Sequence, residues 1–510
     1  MNSSKKVRVR FAPSPTGGLH LGGVRTALFN YLFAKKHNGS FILRIEDTDQ
    51  SRFVPGAEQY IVDCLNWCGI LPDESPNEGG PFGPYRQSER KSNYRQFAEQ
   101  LIKDGHAYYA FDTPEELAKV REKEPNFKYS HENRLTLKNS LSLSQEEVSD
   151  LLNAGAPHTI RIKVPKNQIV TFEDLIRGTV SFETNLLDDK VLLKADGMPT
   201  YHLAVVVDDK AMEISHVFRG EEWLPSAPIH ILLWKYLGWE NEQPSWAHLP
   251  LILKPDGKGK LSKRDGIRLG FPVYAMNWTD PQTNELTQGY KETGFLPEAF
   301  VNLLALLGWN DGSEQEIFTI QELIESFSLD RIAKGGARFD YTKACWFNHQ
   351  WLQTYPEDKL TTELRNVLIA NGIDNKQIEE DKIQVIFHLI KDRMNLLTDF
   401  WDQGNFFFKQ PLALDIDSVH KKWNEEKSLF FKEISQEFQN FQNDWNQEVI
   451  SAFYKSKIKE SGMKIGELML PFRIALVGGK FGPDVFVIAE QLGKQEVVKR
   501  LDYFINEISK

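Results

Sequence analysis

Two short clusters, far apart in the chain, carry residues suited to handling a polyphosphate. The first is Pro13-Ser14-Pro15-Thr16-Gly17-Gly18-Leu19-His20-Leu21-Gly22-Gly23, which places a histidine where an extended segment turns into a helix. Near the positive end of a helix an imidazole N–H can donate to phosphate oxygens, and the helix dipole favours the negative charge. Gly22 and Gly23 carry no side chains, so an adenine and its ribose can lie against the backbone. The second cluster, Lys260-Leu261-Ser262-Lys263-Arg264, follows Gly257 and Gly259. Its lysines present compact charges on long stems and can close on a triphosphate as charge builds towards pyrophosphate departure. Neither cluster is a Walker loop, and no GxGxxG follows the first strand. The chemistry to which these residues are suited is attack on the α-phosphate of ATP.

Such groups need a rigid frame. Val7–Phe11 reads as a strand, Leu19–Lys36 has helical spacing and stops at His37-Asn38-Gly39, and Phe41–Ile45 is a second apolar strand. Strand, helix, strand over so short a stretch is a βαβ unit and implies a parallel sheet. Ligands bind such sheets beyond the strand C-termini, where Ser14, His20 and Glu46 fall. The pattern changes at Ala107-Tyr108-Tyr109-Ala110-Phe111, with further strands near Thr159–Val164 and Val191–Lys194. Tyr201–Asp209, a continuous apolar run, reads as the sheet resuming, followed by a strand at Ile214–Phe218. From about Leu296 helices dominate, as in Phe339–Leu352, Asp381–Phe400 and Val485–Ile508.

The fold class is therefore an α/β Rossmann-like parallel-sheet catalytic domain with an inserted α/β module, followed by an all-α C-terminal region. The expected boundaries are 1–105 and 196–255 for the split catalytic domain, 106–195 for the insert, 256–345 for a region bearing the lysine cluster, and 346–510 for the helical region. Trp346, Phe347, Trp351, Phe406 and Phe407 lie among polar and basic residues and could stack on unpaired bases. At helical spacing aromatics are more often core, and core is the reading for each of them.

Bulk properties narrow the class. At 510 residues the chain has room for several domains, and its 41% hydrophobic and 26% charged content is ordinary for a globular protein. The net charge of −10 opposes nucleic-acid binding only mildly, because local patches decide it. Lys254, Lys258, Lys260, Lys263, Arg264 and Arg268 against Asp256 and Asp265 make one such basic patch. Cys64, Cys68 and Cys345 build no disulfide framework, and Cys64 and Cys68, spaced i,i+4 on a helix Ala57–Cys68 capped by Gly69, read as buried. No apolar run is long enough to span a bilayer. The first strand begins almost at once, leaving no room for a leader, so a cytoplasmic location is expected.

The paired clusters resemble the HIGH and KMSKS motifs of class I aminoacyl-tRNA synthetases, and the wider wording resembles the bacterial-type glutamyl-tRNA synthetases. The resemblance is carried by Arg10–Gly17, Leu43-Arg44-Ile45-Glu46-Asp47-Thr48-Asp49, Pro84–Ser88, Ala107–Tyr109, Pro199–Tyr201, Val207-Asp208-Asp209, His216–Glu222 and Leu306-Leu307-Gly308-Trp309. It is dense over the first two-thirds of the chain and looser in the tail.

The resemblance implies an ATP-dependent ligase that joins L-glutamate to the 3′ end of tRNA(Glu) through a glutamyl-adenylate, with Mg2+ accompanying ATP. By the same resemblance His20, Lys260 and Lys263 are catalytic. Pro13, Gly17, His20, Gly22, Gly23, Glu222, Lys260, Ser262, Lys263 and Arg264 would meet ATP. Arg10, Ala12, Ser14, Glu46, Tyr201 and Arg219 would surround glutamate, where planar guanidinium forks suit carboxylates and reject a neutral amide. The insert would bind the tRNA acceptor end, the lysine-bearing region its stem and the helical tail its anticodon. Family members are usually monomers. Some carry a zinc site in the insert, but Tyr108-Tyr109-Ala110-Phe111 has no cysteine and His131 no cysteine partner, so no zinc is expected.

Rival readings fit less well. Glutaminyl enzymes typically carry Glu in place of Ser14. A shorter paralogue that glutamylates a tRNA base lacks the helical tail. A tRNA-independent nucleotidyltransferase has no use for the insert or the tail. A catalytically dead RNA-binding relative has no need of an intact His20, Lys260 and Lys263.

Overall fold

The structure, a computed structural model, describes residues 6–509. They divide into two compact units, one of residues 6–292 and 297–344, the other of 293–296 and 345–509.

The first unit is built on a six-stranded sheet. In chain order its strands and those of the insert are β1 (Arg8–Phe11), β2 (Ser40–Leu43), β3 (Ala107–Ala110), β4 (Thr159–Ile162), β5 (Ile169–Asp174), β6 (Gly178–Glu183), β7 (Val191–Leu193), β8 (His216–Gly220) and β9 (Ser245–Leu249). The main sheet runs β2-β1-β8-β9-β5-β6. Val9 pairs with Phe41 on one side and His216 on the other, Phe218 pairs with Ala247, and Asp174 with Trp246, all parallel. Only the edge strand β6 is antiparallel to its neighbour. Every residue of β1 and β2 is buried, as strands covered by helices on both faces must be.

Helix α1 (Leu21–Lys36) crosses from β1 to β2. Val24, Ala27, Leu28, Phe29, Leu32 and Phe33 are buried, and Lys35 and Lys36 complement the negative end of the dipole. Arg25, also buried, donates to the carbonyls of Leu307 and Pro250, fixing α1 to both segments. Cys64 and Cys68 are buried as the helical spacing indicated.

Three sequence readings change. Tyr201–Asp209 is not a strand but the helix Tyr201–Ala211. Leu203 to Asp209 are all buried, so the run shows no 3.6-residue periodicity, and a short apolar stretch without period reads equally as strand or buried helix. Within residues 106–195, β3, β4 and β7 form a separate antiparallel sheet, but the hairpin of β5 and β6 extends the main sheet. The long tail helices are broken: Asp381–Phe400 resolves into Glu380–Ile390 and Asp399–Gly404, and Val485–Ile508 divides at Gly493, whose φ of +80° a side chain would resist.

The insert is organised around Asp189. This buried carboxylate accepts from the Tyr108 hydroxyl at 2.7 Å, the Arg134 guanidinium at 3.0 Å and the Val164 amide at 2.9 Å. The second unit is helical, and Phe406, Phe407, Phe430, Phe431, Phe438, Phe472 and Phe504 lie in its core. Phe347 is buried too, while Trp346 and Trp351 are partly covered. No helix among the described residues is long and apolar enough to cross a membrane.

Candidate active site

A cavity of about 730 Å3 opens beyond the C-terminal ends of β1 and β8. Arg10, Ala12, Pro13 and Ser14 enter it from the end of β1, His20, Gly22 and Gly23 from the start of α1, and Glu46 from beyond β2. Tyr201 opens its helix there, Arg219 and Glu222 follow from β8, and Lys260 reaches in from the lysine cluster.

His20 is the N-cap of α1. Its Nδ1 accepts the Gly22 amide at 3.1 Å, so the ring proton sits on Nε2. That nitrogen is buried without a protein partner. Burial first, then Lys260 and Lys263, lower the His20 pKa to about 4. The ring is therefore neutral at physiological pH and offers one N–H to a ligand.

Lys260 and Glu222 meet at 2.5 Å. Lys263 takes another place. Its ammonium lies 5.0 Å from the centroid of the Tyr274 ring and lines a second cavity of about 420 Å3 with Gly17, Arg52 and Trp278. Ser262 is the N-cap of the helix Lys263–Leu269, its hydroxyl bonded to Asp265 in a capping box. Ser262, Lys263 and Arg264 thus do not line the larger cavity, because the sequence after Leu261 closes into a capped helix rather than staying a loop, and Gly17 lines the second cavity instead.

Beneath the cavity Arg10 and Glu46 join a charge network whose other members, Arg44, Asp208 and Asp209, the sequence reading left without a role. Asp209 accepts from Arg10 Nε at 3.0 Å and Arg44 Nη1 at 2.7 Å, and Arg44 Nη2 reaches Glu46 at 3.1 Å. Burial raises the Asp209 pKa, but Arg10 and Arg44 outweigh it and hold the carboxyl below its usual range. Glu46 goes the other way, pushed up by burial against the pull of Arg44 and Arg10. Asp208 accepts from Gln87, Arg90 and Tyr94 at 2.7–2.8 Å, pinning the same helix on its other side. The signal was present in the sequence: two carboxylates ending an apolar run, and Arg44 between apolar residues, are charges that must find partners.

Arg219 is buried, and its Nη2 has no protein acceptor. Its other nitrogens are spent on Tyr201, His230 and His248. The cavity thus holds two unspent donors, a guanidinium nitrogen and an imidazole N–H, suited to two anionic groups.

The catalytic-domain family described as "tRNA synthetases class I (E and Q), catalytic domain" matches residues 6–346, and "Anticodon binding domain" matches 352–505. The chain belongs to the class I tRNA synthetases of the E and Q group. The synthetase is similar along its whole length to curated relatives. The glutamate–tRNA ligase of Christiangramia forsetii is 52% identical, with 99% of this chain and 100% of the relative aligned. That of Amoebophilus asiaticus is 51% identical over 98% and 97%. A crystal structure of a glutamate tRNA ligase from Elizabethkingia meningosepticum in complex with its amino acid superposes with a TM-score of 0.91 at 47% identity, covering 99% of this chain and 100% of that one.

Proposed function

We propose that this synthetase joins L-glutamate to the 3′ end of tRNA(Glu) in two steps, drawing on ATP. In the first, an α-carboxylate oxygen of glutamate attacks the α-phosphorus of magnesium-bound ATP. The bond to the bridging oxygen breaks, pyrophosphate leaves and glutamyl-adenylate remains. In the second, the terminal ribose hydroxyl of the tRNA attacks the activated carbonyl and AMP departs. No enzyme nucleophile takes part, so the protein contributes position and charge.

The observation that carries this reading is the pair of unspent donors, Arg219 Nη2 and His20 Nε2, in one cavity. The guanidinium suits the substrate's side-chain carboxylate, and the imidazole N–H suits a phosphate oxygen. Arg10 and Tyr201 complete the carboxylate pocket beside Ala12, while Ser14 and Glu46 meet the α-ammonium. Pro13, Gly22 and Gly23 bed the adenosine, Glu222 holds its ribose, Lys260 meets the phosphates, and Lys263 reaches them from the adjoining second cavity, which shares Thr16 and Arg52 with the first. Ser262 acts by capping the helix that starts at Lys263, with Gly17 and Arg264 flanking it.

On this reading residues 106–195 bind the acceptor end of the tRNA, 256–345 its stem and 346–510 its anticodon. The enzyme works as a cytoplasmic monomer. The test is exchange of labelled pyrophosphate into ATP. Exchange is expected with glutamate and tRNA(Glu) together and not with glutamine, and exchange supported by glutamine would overturn the substrate assignment.

A further inference from the structure

All the N–H groups of the Arg219 guanidinium can be followed. Nε donates to His248 Nε2 at 2.9 Å, and Nη1 donates to the Tyr201 hydroxyl at 2.9 Å and to His230 Nδ1 at 3.1 Å. Only Nη2 is left, and it has no protein acceptor. The Trp246 ring centroid lies 5.0 Å from the guanidinium carbon.

A guanidinium only donates, so both histidine nitrogens that face it carry no proton. His248 must hold its proton on Nδ1, which donates to Asp174 Oδ2 at 2.6 Å. Asp174 is buried at the end of β5 and is itself fixed: its Oδ1 accepts the Ile176 and Arg177 amides at 3.0 Å each, and its Oδ2 accepts the His248 amide at 3.1 Å. On the other side His230 donates its Nε2–H to His202 Nδ1 at 3.2 Å. Burial lowers the His248 pKa against the pull of Asp174, and burial with Arg219 and its neighbours lowers that of His230 far more. Both rings stay neutral acceptors.

The consequence is directional. If the acceptor at Asp174 Oδ2 became a donor, the imidazole would have to move its proton to Nε2. Two N–H groups, those of His248 Nε2 and Arg219 Nε, would then face each other, and the guanidinium could not keep its present angle. We propose that Asp174 and His248 are positioning residues for substrate choice: they lock Arg219 so that its Nη2 protons alone face the bound amino acid, a geometry that takes a carboxylate and leaves an amide's own donor without a partner. This rests on the reading that Arg219 meets the side-chain carboxylate of glutamate. It gives the β5–β6 hairpin, an edge of the sheet, a function at the cavity.

The test uses steady-state exchange on the full-length enzyme. Asp174→Asn is expected to raise KM for glutamate about tenfold, the effect of setting one donor against another, while KM for ATP stays within about twofold. Selectivity for glutamate over glutamine should fall with it. His248→Gln, which keeps an acceptor for Arg219 Nε, should raise KM for glutamate less than His248→Leu. An unchanged glutamate KM in Asp174→Asn, or an equal rise in both KM values, overturns the proposal. Arg219→Ala separates the two layers. A raised glutamate KM there, with none in Asp174→Asn, overturns only the positioning role; an unchanged value in Arg219→Ala overturns the reading beneath it as well. Should the variants fail to fold, ring 1H–15N spectra of the histidine-labelled wild-type enzyme decide, since His248 must show its proton on Nδ1 and a proton on Nε2 overturns the proposal.

Discussion

Lys260 Nζ stands 2.5 Å from Glu222 Oε1, and this one pair bridges the lysine cluster to the end of the strand that carries Arg219. The two side chains are 53% and 38% exposed, so the pair contributes only ~0–1 kcal/mol to stability. Its value is position, because both residues line the cavity. Lys260→Ala is expected to slow adenylate formation by roughly 10²–10³, as loss of one transition-state donor does. The urea midpoint should stay unchanged. Wild-type single-turnover rates in Lys260→Ala would show that the lysine only props up its loop.

His20 gives a second prediction. Its Nδ1 is tied to the Gly22 amide and its pKa is lowered to about 4, so the donor Nε2–H is present without protonation. A cationic phosphate binder with an ordinary histidine pKa would lose activity as pH rises through ~6.5. Here the activation rate should carry no such limb between pH 5.5 and 8, and His20→Ala should lower it throughout. A rate that falls with deprotonation near pH 6.5, and disappears as a limb in His20→Ala, would show the charged ring at work.

Stability should respond to the same chemistry. His20, His202 and His216 are each lowered to about 4, in every case by burial first. A depressed pKa means the unfolded chain takes up protons that the folded one refuses. The contribution is fully present above ~6.5 and is lost as pH falls through the folded value. The urea midpoint should therefore drop between pH 6.5 and 4. Replacing His216 with Phe, away from the cavity, should make that drop shallower, and an unaltered slope would show that other groups drive it.

Much of this was legible before folding. His20, the glycines after it and the βαβ pattern sit in one contiguous stretch. Three things were not. Leu203 to Asp209 of the helix Tyr201–Ala211 are buried on all sides, so the sequence lost the period that marks a helix. Ser262 reads from the sequence only as a phosphate binder, and its role as a helix cap is not visible there, because a capping hydroxyl and a phosphate-binding one are the same residue type. Asp174, Arg219 and His248 come from three strands whose neighbours in space are distant in sequence, and only the order of strands in the sheet brings them together.

Asp209 should be the most costly residue of the site to lose. It is paired with both Arg10 and Arg44, and all three are buried. Removing the carboxylate leaves the buried Arg10 without its partner and Arg44 with Glu46 alone, and breaking a buried pair in this way costs about 3–5 kcal/mol. Asp209→Ala should show that loss in denaturant unfolding. Asp209→Ala combined with Arg10→Met should recover part of it, since the stranded charge is then gone and Arg44 keeps Glu46. Equal losses in the single and double variants would mean that the network is not coupled.

Gly22 separates fold from function in the opposite sense. It stands second in α1 at an ordinary backbone angle, and an added Cβ would meet only His20 Nδ1, at 3.5 Å. An alanine there keeps the amide that His20 accepts and favours the helix by up to ~1 kcal/mol. The backbone does not need the glycine, so the need is for room: Gly22 lines the cavity where the adenosine is proposed to lie. Gly22→Ala should leave the melting temperature unchanged or raised while increasing KM for ATP and sparing KM for glutamate. Gly23→Ala tests the contrast, because its Cβ would come 2.7 Å from Leu19 Cδ1 and strain the packing as well. A Gly22→Ala enzyme with wild-type KM for ATP would place the nucleotide elsewhere.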